Sequence, residues 1–212
     1  MQKQSTFDAT GEGKAAVVPD VALTSLGITI TQPNVASAQE AANRVINSIT
    51  AALKESGVGE KDLRTQNYSI NPQYDFTVGQ RVTGYTVNAT LEVKFTDFAK
   101  LEGAIDSAVS LGANQVGGIT FTLSDEARLA AETEAIKEAV DQAKAKAESL
   151  ASAAGIKLGR IINVYESGTE PPLPYYRSLE AMGSDVAIAE PTELEPGSTE
   201  VRLSVTLSYE TL

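Results

Sequence analysis

A chain of 212 residues, 42% of them hydrophobic, is long enough to bury a core as one large domain or two small intimate ones. Its formal net charge of −11 repels nucleic acid and anionic lipid surfaces, so nucleic acid is not expected as a partner. With no Cys, His or Trp, it is denied disulfides, thiolate metal sites, a cysteine nucleophile and a Ser-His-Asp triad.

No apolar run reaches the roughly 18 residues of a membrane-spanning helix, and "MQKQSTFDATGEG" lacks the apolar centre of a signal peptide. The chain reads either as cytosolic or as a mature form in which Met1 replaces an export signal. In "TGEGKAAVVPD" (10–20) a glycine-rich stretch runs into Lys14, as in a phosphate-binding loop. The pattern fails at both ends, because Asp8 stands where the first glycine is needed and Ala15 where Ser or Thr is needed. A bend or bulge entering the first strand is the reading adopted.

"DVALTSLGITIT" (20–31) predicts a strand whose apolar parity changes near Ser25, through a bulge or through burial of both faces. "NVASAQEAANRVINSITAALKESG" places Val45, Ile49, Ala52 and Leu53 at helical spacing and Gly57 where a left-handed cap would stop the helix. A hairpin follows. "LRTQNYSINPQYDF" carries Pro72, which marks an edge strand or a bend, and "GYTVNATLEVKF" alternates Tyr85, Val87, Ala89, Leu91, Val93 and Phe95 with polar residues. Tyr68, Tyr74 and Tyr85 are expected to face a sheet core or an interface.

A short helix should start at Asp97 and stop at Gly112, and "QVGGITFTL" should form one strand. Ser124 then caps a long alanine-rich helix, 125–154, of about 45 Å, ended by Gly155 and followed by the strand "GRIINVYE". On that helix Glu132, Glu134, Glu138, Asp141 and Glu148 interleave with Lys137, Lys144 and Lys146, which reads as a solvated face. No spacing matches a metal-ligand set, and no cofactor is expected.

From about 167 to 198 periodicity is lost among five prolines. Its "PPLPYYR" (Pro171, Pro172, Pro174, Tyr175, Tyr176, Arg177) is a stiff arm suited to oligomer or partner contacts, with a polyproline ligand as the sharper alternative. The last stretch, "TEVRLSVTLSYE", alternates Val201, Leu203, Val205, Leu207 and Tyr209 and must pair with an earlier strand. The expected fold is therefore α+β: a mainly antiparallel sheet with helices on one face, one of them long, and a proline-rich excursion before the last strand. Residues 1–9 are expected as a flexible N-terminus, and 10–212 as a single domain or two intimate subdomains.

"GEG" leading to "PDVALTSLGI", then "LRTQNYSINPQYDF", "GYTVNATLEVKF", "LGANQVGGITFTLSD", "AKAKAESLASAAGIKLGRIINVYE" and "EPGSTEVRLSVTLSYE" occur in an order that resembles the SIMPL domain family over Thr10 to Glu210. The resemblance implies an exported protein of the periplasm or cell surface. Among its relatives are an immunogenic periplasmic protein forming a large hollow oligomer and a protein linked to oxidative-stress tolerance. It supplies no catalytic residues. The expectation is a non-enzymatic homo-oligomer, an envelope scaffold or stress-protective factor. A module binding a small ligand or peptide, between the long helix and the sheet or in the arm, is the alternative, and an enzyme using carboxylate or lysine chemistry is a third.

Overall fold

The computed structural model describes residues 6–77, 79–168, 173–175 (backbone only) and 195–211. The chain divides into two compact units, one made of residues 1–19 and 123–212, the other of 20–122. The α+β class and the antiparallel pairing agree with the sequence; the strands are shared between two sheets.

In the first unit, β1 (Thr6–Val17), β7 (Leu158–Ser167), β8 (Leu173–Tyr175) and β9 (Ser198–Thr211) form a four-stranded sheet in the order β1-β9-β7, with β8 also on β9. Residues 6–9, expected as part of a flexible leader, are strand: Thr6 pairs with Glu210 and Ala9 with Leu207. The glycine-rich stretch is not a bend before the strand but its middle, since Thr10 to Val17 run opposite Thr206 to Thr199 without a break.

The reason lies on α3 (Asp125–Ala154). Ala131, Ala135, Ala139, Ala143, Ala147 and Ala151 recur every four residues and form a buried stripe along it. That stripe meets Ala9, Ala15 and the alternate residues Val201, Leu203, Val205, Leu207 and Tyr209 of β9. A Cβ on Gly11 would lie 2.2 Å from the Ala139 carbonyl oxygen, and one on Gly13 would lie 1.9 Å from that of Ala135. Helix and strand backbones therefore touch, and only glycine fits. The Ser124 side chain accepts from the Ala127 amide, Asp125 and Glu126 occupy the first turn, and Gly155 ends the helix at φ 69°.

In the second unit, β2 (Val21–Gln32), β3 (Leu63–Asp75), β4 (Arg81–Phe95), β5 (Gln115–Val116) and β6 (Thr120–Thr122) form a sheet in the order β3-β4-β2-β5, with β6 also on β2. α1 (Val35–Glu55) and α2 (Leu101–Ser110) complete it. Asn34 caps α1 and Gly57, at φ 92°, follows its end. β2 keeps an unbroken register with β4 and buries Val21 as well as Ala22, Leu26 and Ile28, so burial of both faces explains its parity change. The strand expected over "QVGGITFTL" is instead two short ones. The Gly117 amide donates to the Ser25 carbonyl at 2.7 Å, and one residue more lies between β5 and β6 than between their partners on β2. Asp97 caps a 3-10 turn, Phe98–Lys100, that leads into α2. Pro72 lies on an edge strand, as expected. Tyr68 and Tyr74 are more exposed than a core position allows, at 42% and 43%.

Candidate functional site

Three surface features could carry function, and each follows from how the strands end at a sheet edge. The first is the edge of β1. In an antiparallel edge strand alternate residues turn their amide and carbonyl outward, and on β1 these groups meet side chains of α3. The Glu12 amide donates to Gln142 Oε1 at 2.6 Å and the Lys14 amide to Glu138 Oε2 at 2.8 Å. Lys146 Nζ donates to the Thr10 carbonyl at 3.2 Å. Glu138, Gln142 and Lys146 stand four residues apart on one helix, so a single helix face closes the edge. Sequence reasoning assigned Glu138 and Lys146 to a solvated face and missed this role. The available signal was the matching of G-x-G in a strand with alanine at every fourth helical position.

The second feature is a recess of about 610 Å³ lined in part by Glu12, Lys14, Glu138, Gln142, Arg202 and Ser204. Lys14 lies opposite Arg202 in the β1–β9 register. The Arg202 guanidinium pairs with the buried Glu200 carboxylate, and Ser204 and Ser167 hydroxyls are 2.8 Å apart. Its lining is polar and charge-mixed, unlike the apolar pockets that enclose most organic ligands. The sequence offered a ligand seat between the long helix and the sheet or in the arm. Backbone contact fills that first space at Gly11 and Gly13, and the recess lies beside them, between Glu138 and Gln142 of α3 and Lys14, Arg202 and Ser204 of the sheet.

Apolar side chains exposed at strand edges and tips are the third. On β7 these are Ile161, Ile162, Val164 and Tyr165. At the tip of the β3–β4 hairpin Tyr74, Phe76 and Val82 are exposed, and the Tyr74 and Phe76 rings lie 6.1 Å apart. Beside them, hydrogen bonds from the Thr77 side chain and amide hold the Asp75 carboxyl below its usual range. Burial first, and the Glu148 charge second, push the Tyr209 phenol up. Neither group lines the recess. Of the arm residues read as contacts, Pro171, Pro172, Tyr176 and Arg177 lie outside the described residues, while the backbones of Pro174 and Tyr175 pair with Thr199 and Ser198. Among the described residues no group of three or more acidic side chains is arranged to hold a metal, and no helix is long and apolar enough to cross a membrane.

Fold and surface together define an α+β protein of two antiparallel-sheet units with closed and open sheet edges. The chain belongs to the SIMPL family, described as a protein of unknown function (DUF541), which matches residues 7–209. It is 30% identical over 213 residues to the "26 kDa periplasmic immunogenic protein" of Brucella melitensis, covering 95% of this chain and 82% of that one. It is 26% identical over 186 residues to the "Uncharacterized protein YggE" of Escherichia coli K12, covering 87% and 75%. A protein of that same description from Edwardsiella ictaluri is 24% identical over 180 residues, covering 82% and 74%.

Proposed function

We propose that this chain is a non-enzymatic protein of the periplasm or cell surface that acts through self-association, as an envelope scaffold or stress-protective factor. The observation that carries the reading is the run of exposed apolar residues on β7, Ile161, Ile162, Val164 and Tyr165, on a strand that ends its sheet. Location in the periplasm is supported by the printed description of the Brucella relative. Pro171, Pro172, Pro174, Tyr175, Tyr176 and Arg177, which follow β7 in the sequence, are in this reading further oligomer or partner contacts.

Sedimentation velocity over a wide concentration range tests it. A concentration-dependent assembly is expected, weakened by deleting residues 176–194; a strict monomer at every concentration refutes self-association. A second reading, a small polar ligand held between Lys14, Arg202 and Glu138, is favoured by the 610 Å³ recess. Calorimetric titration with zwitterionic metabolites tests that reading, and no heat beyond dilution rejects it.

A further inference from the structure

The reading of self-association leaves open which surface meets which, and the sheet edges decide between candidates. Among the described residues the sheets end at β1, β7 and the three-residue β8 in one unit, and at β3 and the β5–β6 pair in the other. Natural sheets blunt their edges by covering them, by bulges and proline, or by keeping edge strands short. β1 is covered by Glu138, Gln142 and Lys146. β3 has register breaks between Thr65 and Asn67 and between Gln73 and Tyr74, with Pro72 just before the second. β5 and β6 have two and three residues.

β7 differs. Its first half is bulged, but Asn163 to Ser167 run in regular register opposite Ser208 to Ser204, and among the described residues no strand pairs with its other side. Val164 is 58% exposed and Tyr165 57%. We propose that β7 of a second copy of this chain docks on this edge, antiparallel, joining two sheets into one across a two-fold axis near Val164.

Charge selects a second copy as the occupant. Two chains of net charge −11 repel each other over most of their surfaces. β7 carries one cation and one anion, Arg160 near its start and Glu166 near its end. Antiparallel pairing of two copies brings the Arg160 end of each strand to the Glu166 end of the other. Arg160 is 3.5 Å from the Glu210 carboxylate and largely exposed, so it stays within reach of a partner's acid. An axis at Val164 also sets Val164 against its own copy and Asn163 opposite Tyr165, pairs that share a face because those residues alternate along the regular part of β7. Such isologous pairing is self-complementary and closes at two subunits, leaving other surfaces for larger assemblies.

The test uses the whole chain and its lack of cysteine. Val164→Lys, at an exposed position, should weaken the association seen by sedimentation about tenfold or more, while Val82→Lys on the β3–β4 hairpin should leave it unchanged. Val164→Cys should form an interchain disulfide under mild oxidation, and Leu129→Cys, exposed on α3, should not. Protection of the 163–167 amides from hydrogen exchange should rise with protein concentration. Association unchanged by Val164→Lys, without a Val164→Cys dimer, overturns this interface and leaves self-association standing. Protection independent of concentration but lost on deleting residues 176–194 overturns it too, since the chain's own segment would then fill the edge. A wild-type chain that is monomeric throughout overturns both readings.

Discussion

Gly13 lies directly against Ala135: a Cβ on the glycine would be 1.9 Å from the alanine carbonyl oxygen and 2.7 Å from the Ala139 amide nitrogen. Backbone atoms on both sides leave nothing flexible to move. The same holds one pair further along, between Gly11 and Ala139 with Ala143. At Gly11 and Gly13 the contact between α3 and β1 rests on hydrogen atoms where side chains would be, between the packed side chains of Ala9 and Ala15.

Gly13→Ala should therefore destabilise the first unit by about 3 kcal/mol, the upper end of ordinary overpacking, because the clash is with a helix backbone. Gly79→Ala is the contrast. No atom lies within 4 Å of its added Cβ, and its loss comes from a φ of 86° alone, on the order of 1 kcal/mol. Urea denaturation followed by circular dichroism distinguishes them, and equal effects would mean that α3 can lift off β1 at little cost.

Closing of the β1 edge gives a prediction with a local readout. Replacing Glu138 and Gln142 together by alanine removes the acceptors for the Lys14 and Glu12 amides. Both amides lie at an exposed edge where water can substitute, so stability should fall by only about 1 kcal/mol. Hydrogen exchange at those two amides should quicken markedly while exchange at the β9 side of the same sheet stays slow. Unchanged exchange at residues 12 and 14 would show that the helix backbone, not these side chains, shields the edge.

These two relationships mark where the sequence stops being informative. α3 was legible from end to end because its signals are local, with Ser124 before it, Gly155 after it and alanines at helical spacing between. β4 and β9 were legible because one face of each is buried and the other wet. Glycines 11 and 13 read as a bend or bulge, since glycine is rare inside strands, and their reason for being there lies far along the chain, at Ala135 and Ala139 on α3. Glu138, Gln142 and Lys146 look like any solvated helix face until β1 is placed beside them. "QVGGITFTL" alternates like one strand, yet the two glycines let the chain step out at Ser25 of β2. That no strand among the described residues pairs with the outer side of β7 is a property of the pairing, invisible in "GRIINVYE" itself. Arm residues such as Arg177, singled out by their prolines and tyrosines, lie outside the described residues.

Helix α3 also depends on how it starts. Ser124 accepts from the Ala127 amide at 3.1 Å, with Asp125 and Glu126 following in the first turn. Ser124→Ala should lower stability by about 1 kcal/mol, and Ser124→Asp should restore most of it, because a carboxylate caps the same amide and suits the helix dipole. Thermal unfolding of the two variants checks this. If the aspartate variant is as unstable as the alanine one, the serine's role is packing rather than capping.

Tyr209 makes the stability of the first unit sensitive to alkali. The ring is buried on the face of β9 turned toward α3, and burial first, then the negative charge of Glu148, raises its phenol above the ordinary value of 10.0. A raised acid stays neutral in the folded chain while the unfolded chain ionises. The stability it supports is therefore fully present below pH 10.0 and is lost as the pH climbs from there through the raised value. Tyr209→Phe should flatten that alkaline loss while leaving stability near neutrality little changed, since the phenyl ring keeps the apolar contacts. Glu148→Gln removes the smaller of the two causes and should move the midpoint of phenolate formation, followed by ultraviolet absorbance, only part of the way back. A larger return in the glutamine variant than burial leaves behind would reverse the order of the two causes. An alkaline limb identical in wild type and Tyr209→Phe would mean that another ionisation drives it.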